Sequence, residues 1–204
     1  MIQLLSLFCY GLVLLFGIAV SVCFSGAPKK RKNLLSTGGF FLLALFLQIV
    51  CWQFFGLEQT KELYPLIVHL PLVIFLHTIL KRSWLVSLSS VFAAYPCCQI
   101  PKWFGSTGEI LFHTQLAYYL SYMPAMALCF YLLYKYVAAP VSRIMTQSRK
   151  SCLLFGTVPL LYYLFDYVST IYTDWLYSGS RMAVQFIPSV VSMKSEGQAV
   201  LGRQ

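Results

Sequence analysis

Six stretches of this chain, 3–25, 34–56, 63–80, 84–104, 110–136 and 152–177, are mostly apolar and carry at most two charges each. A helix that crosses lipid needs about 20 such residues, within a range of about 17–25. Lipid offers the backbone no hydrogen-bond partners, so a spanning segment of this length must satisfy its own and be helical. The rest of the sequence offers no alternative: 59% of its 204 residues are apolar and 10% are charged. Soluble domains average about 45–50% and about 25%. The expected fold is therefore all-α, a polytopic transmembrane helix bundle of six spans.

A seventh apolar stretch begins and stops. Residues 182–191 are too short to span alone, and "KSEGQ" follows them. The expectation is a six-span domain over 1–178, then an incomplete seventh segment and polar tail over 179–204. The tail reads either as a seventh span broken off or as an interfacial end. The longest loop expected is "AAPVSRIMTQSRK" (138–150), with Pro140 ending the fifth helix. A proline there removes a helical hydrogen bond, and the basic remainder suits anionic lipid headgroups.

The basic residues set an orientation. "KKRK" (29–32) follows the first span, and 1–25 contains no Lys or Arg, the reverse of a signal peptide. With the amino terminus outside, the inside segments hold Lys29, Lys30, Arg31, Lys32, Lys81, Arg82, Lys135, Arg143, Arg149 and Lys150. The outside segments and tail hold only Lys61, Lys102, Arg181, Lys194 and Arg203. An excess of Lys and Arg marks the cytoplasmic side, so the amino terminus is expected outside the plasma membrane. Ile2 is not the glycine a myristoylation signal requires.

Several classes of function are set aside. The net charge of +9 lies in short clusters between apolar runs, without the basic face and interleaved aromatics of a strand-binding surface, so nucleic acid is not an expected partner. The seven cysteines include no CxxC pair, and none has a histidine at zinc-ligand spacing; no metal or other cofactor is expected. A peptidase would need a nucleophile and base held together. Cys97 or Cys98 with His113 is the nearest approach to one, and nothing in their spacing favours it. The halves share no Gly/Pro-interrupted repeat of the inverted-repeat transporter kind.

Asp166 is the exception to the apolar rule, within "LLYYLFDYVSTIYTDWLY" (160–177). It lies about 22 Å above the inner end of its span, fifteen residues past Ser151. An ionised carboxylate facing lipid costs a few kcal/mol even on the lenient insertion scale, so it should face other helices. Ser169, Thr170 and Thr173 follow at three, four and seven residues and share its face. The stripe reads as the floor of an outward-opening ligand or proton site, or as structural bonding between helices. Lys102, at the outer end of the fourth span, either pairs with Asp166, reducing both desolvation costs, or extends to the surface. His69 and His77 lie eight residues apart, offset by about 80° around the third span, beside Pro65 and Pro71. They read as holding a pH-sensing or metal role, or as histidines bonded to backbone carbonyls. Tyrosines and a tryptophan, including Tyr118, Tyr119, Tyr122, Tyr172, Trp175 and Tyr177, gather near the outer ends, as belt anchors or an aromatic vestibule.

Two segments carry a likeness: "LYPLIVHLPLVIFLHTILKRSWLVSLSSVFAAYPCCQIPKWFG" (63–105) and "PVSRIMTQSRKSCLLFGTVPLLYYLFDYVSTIYTDWLYSGSRMAVQFIPSVV" (140–191). They resemble the membrane-sensor half of bacterial GHKL-type sensor histidine kinases, and the resemblance extends over about 1–190. It implies a polytopic sensor of the bacterial plasma membrane, whose last span leads to a dimerisation helix and an ATP-binding domain. The kinase features are missing from this sequence. No histidine is followed by the charged residues of a phosphoacceptor helix, the only asparagine is Asn33, and there is no Walker-type loop.

The expectation is thus a non-catalytic signal-sensing module, truncated before a kinase core, and not an enzyme. The alternative is a small transporter or permease subunit using Asp166 for proton or cation coupling. The expected partners are the bilayer, a second copy in a homodimer, and an extracellular or membrane-borne signal ligand.

Overall fold

A computed structural model describes residues 2–168, and these are helical almost throughout. The helices are α1 (Ile2–Phe24), α2 (Arg31–Glu62), α3 (Leu70–Thr78), α4 (Trp84–Phe112), α5 (Gln115–Leu132), α6 (Ala138–Gln147) and α7 (Arg149–Tyr167). No strand occurs among the described residues. Each of the six apolar runs falls mainly on helix where it is described, the sixth as far as Val168. The third is α3 with a π-helical turn, Pro65–His69, leading into it. The fifth covers the end of α4, then α5 and most of a second π turn, Leu133–Val137.

Two of these helices, Arg31–Gly56 and Gln115–Gln147, are long and apolar enough to cross a membrane by length and composition. Phe8–Phe24 and Pro65–Thr78 are shorter apolar helices. The burial pattern is the one lipid selects. Large apolar side chains face outward, with Phe54 80% exposed, Leu154 76% and Leu34 74%. Ser21, Gln48, Ser87, Ser90, Gln99 and Asp166 are buried. In water so much exposed leucine and phenylalanine would drive association; in lipid the polar groups are the ones that must turn inward.

Helix α4 is central, packing against α1, α5 and α7. Small residues allow the approach. Ser87, Ser90, Ala93 and Ala94 are buried on α4, and a Cβ placed on Gly156 of α7 would meet the Ser89 Oγ at 2.4 Å. The α4–α5 hairpin is tight because His113, in the left-handed region (φ 53°), ends α4. The next residue, Thr114, caps α5 by accepting from the Ala117 amide at 3.3 Å.

Boundaries shift from those expected. Helix α4 runs to Phe112, so residues 110–112, expected in the fifth span, belong to the fourth. The expected inner loop over 138–150 is mainly helix α6. Pro140 does not end the fifth helix, because the register slips before it. Over Leu133–Val137 the hydrogen bonds become one residue longer, with the Ala138 amide donating to the Leu133 carbonyl. Pro140 then falls in the first turn of α6, where its missing N–H costs least. Val141 and Met145 anchor α6 inward while Arg143 stays exposed.

Candidate functional site

Asp166 is 5% exposed on α7, and the Tyr95 hydroxyl of α4 donates to its Oδ2. One α-helical turn earlier on α7, the Tyr163 hydroxyl shares a hydrogen bond of 2.9 Å with His69 Nδ1. Three elements therefore meet at one polar centre: the π turn (His69), α4 (Tyr95) and α7 (Tyr163, Asp166, Tyr167). The rings interlock. Tyr95 and Tyr163 lie 4.9 Å apart edge-to-face, Tyr163 and Tyr167 4.6 Å apart, and His69 sits 5.3 Å from Tyr163 and 5.0 Å from Tyr64. Tyr163, Asp166 and Tyr167 converge because three- and four-residue spacings share a helix face. The π turn adds a residue to the third helix where His69 must point inward, and such turns recur at functional sites.

Helix α2 contributes Gln48, 2% exposed, close enough to the Tyr64 hydroxyl for the two to interact. Neither of its amide atoms makes a well-formed hydrogen bond. Buried amides are ordinarily satisfied, and Gln48 stands out as a buried amide beside Tyr64 without a well-formed bond.

The sequence-derived residues divide. Asp166 and His69 belong to the centre. Lys102 is half-buried on α4, seven residues beyond Tyr95 and on the same face. It lies in electrostatic reach of Asp166, and the donor seen on Asp166 Oδ2 is the Tyr95 hydroxyl. His77 does not belong there. It lies toward the opposite end of α3, its Nδ1 2.7 Å from the Arg82 carbonyl, its ring stacked on Trp84 at 4.4 Å. The first is the backbone-carbonyl role expected of a structural membrane histidine. Ser169, Thr170 and Thr173, with the segment 179–204, lie outside the described residues. Tyr95, Tyr163, Tyr64 and Gln48 were not singled out by sequence. Their local signal is faint, although Tyr163 precedes Asp166 by one α-helical turn.

The arrangement presents an acid, a histidine and hydroxyls inside a ring of aromatics. It can hold a polar or cationic group, or exchange a proton. Among the described residues no group of three or more His, Cys, Asp or Glu is placed to hold a metal ion. No protein-family model matches the chain, and comparisons with curated proteins and with solved structures found no match.

Proposed function

We propose that this chain is a non-catalytic, multi-pass membrane module that senses a signal at the Asp166 centre, in the manner of the membrane half of a GHKL-type sensor kinase. In this reading six spans cross the bacterial plasma membrane, and the amino terminus is outside. The observation that carries the reading is the Asp166–Tyr95 hydrogen bond beside the Tyr163–His69 bond, buried in a bundle whose outer surface is apolar. Ionisable groups within a membrane bundle are expensive and generally mark ligand, ion or proton sites. Here they tie α4, α7 and the third helix together, so a ligand that replaces one of these bonds shifts helices against each other. Signalling needs such a difference between two states.

The test is a fusion of the module to a histidine kinase core, assayed in membranes against candidate signals. Asp166→Asn should abolish the response while the fusion still inserts and retains basal autophosphorylation. An unchanged response would reduce the centre to structural bonding. The same acid beside two tyrosines and a histidine also supports proton or cation coupling. Proton uptake into proteoliposomes containing the unfused chain, lost with Asp166→Asn, would select the transporter reading.

A further inference from the structure

A second polar site lies at the opposite end of the bundle. The turn between α3 and α4 and the turn between α6 and α7 face each other across a cleft of about 410 Å³. That volume falls within the range of small-molecule sites, about 300–1,000 Å³. Lys81, Arg82 and Arg149 line it together with Ser83, Thr146 and Ser148, and among the described residues no acidic side chain does.

The cleft is built from both sides. The long helices α4 and α7 both begin at it, and their capping residues, Ser83 and Ser148, are wall residues. Ser83 Oγ accepts from the Val86 amide at 3.4 Å, and Ser148 Oγ from the Ser151 amide at 3.0 Å. Arg82 is fixed: its Nη2 donates to the Gly26 carbonyl at 2.6 Å, its carbonyl is held by His77, and its buried Nε has no protein partner. Lys81 adopts a left-handed backbone (φ 54°) that non-glycine residues rarely take. Three cations and two positive helix ends thus converge, and among the described residues lining the cleft none is acidic.

We propose that this cleft binds a phosphate ester, presented by the headgroup of an anionic phospholipid. Phosphate suits the wall chemistry, because arginines, lysines, hydroxyls and helix N-termini all donate to it. The surroundings point to lipid as its source. Trp84, between the lining residues Ser83 and Leu85 in sequence, is 54% exposed and stacked on His77, as interfacial anchors are, and Leu153 and Leu154, next along α7 after the lining Cys152, are exposed apolar surface suited to acyl chains. The inference is independent of whether the Asp166 centre senses anything.

The test measures thermal unfolding of the whole chain in mild detergent with added phosphatidylglycerol, phosphatidylcholine or glycerol phosphate. Phosphatidylglycerol should raise the midpoint, with phosphatidylcholine and glycerol phosphate giving little. The Lys81→Gln/Arg149→Gln variant should lose phosphatidylglycerol affinity by tenfold or more. It spares Arg82, whose bond to Gly26 supports the fold. Lys30→Gln/Lys32→Gln removes the same charge from an exposed segment outside the cleft and should lose far less. Equal protection by glycerol phosphate would keep the phosphate site and assign it to a soluble ester. Equal protection by both lipids, or equal losses in the two double variants, would overturn the proposal.

Discussion

The Tyr95 hydroxyl donates to Asp166 in an apolar surrounding, and removing one partner should cost more than the bond's net worth. Tyr95→Phe leaves the carboxylate short of a donor, and we expect a loss of about 1–3 kcal/mol in detergent unfolding titrations. In an Asp166→Asn background the same change should cost about 1 kcal/mol less, because a neutral amide needs the donor less. Lys102 is in electrostatic reach of Asp166, but the hydrogen bond to the carboxyl comes from Tyr95, so Lys102→Met should couple to Asp166→Asn more weakly than Tyr95→Phe does. A stronger coupling to Lys102 than to Tyr95 would reverse this assignment. The acid itself was legible in the sequence, since a carboxylate in an apolar run must turn inward. Its partner was not, because Tyr95 lies 71 residues away and any of fourteen tyrosines offers the same hydroxyl. The two histidines show the same limit. Their spacing says that they face differently, but only packing decides that His69 meets Tyr163 and His77 meets Arg82.

At the level of elements, the close contact of α4 with α7 sets the distance between Tyr95 and Asp166. Gly156 makes that contact possible: an added Cβ would lie 2.4 Å from the Ser89 Oγ and 2.9 Å from its Cβ. Gly156→Ala should therefore destabilise the bundle by about 1–3 kcal/mol, the usual cost of overpacking. Removing the obstruction with Ser89→Gly should recover part of the loss. If the double variant is no more stable than Gly156→Ala alone, the helices do not meet at these residues. Helix positions were largely readable from hydrophobic run length, and the described part of each run is mainly helix. The joins were less so. A proline reads as a helix end, but the π turn ahead of Pro140 absorbs its missing N–H, and hydrogen-bond register has no signature in composition. The stretch 138–150 was polar enough to resemble a loop, yet Val141 and Met145, four residues apart, give α6 an inward face.

Across the whole molecule, the basic segments are not independent. Arg82 bonds to the Gly26 carbonyl, Gly26 packs against Ser142 and Thr146, and Lys81 and Arg149 line one cleft. Lys29 joins this end through the Tyr134 hydroxyl at 2.5 Å, a hydrogen bond that raises its pKa above the ordinary lysine value. Basic residues from three separate stretches of sequence thus share one end of the bundle, and the exposed turn at Thr114 lies at the far end of α4. In the orientation proposed above, the charge excess would turn this basic end toward the cytoplasm. In a background with all seven cysteines replaced, a membrane-impermeant maleimide should label Thr114→Cys in intact cells. Lys30→Cys and Ser148→Cys should react only after permeabilisation. The three sites divide the possible failures between two causes. If all three report the reverse, the bundle stands and only the orientation is wrong, since the helices fix the basic turns relative to each other. If Lys30→Cys and Ser148→Cys fall on opposite sides, no orientation rescues the arrangement, because the α1–α2 and α6–α7 turns would then be separated by a bilayer that the Arg82–Gly26 bond and the Gly26–Thr146 packing cannot cross.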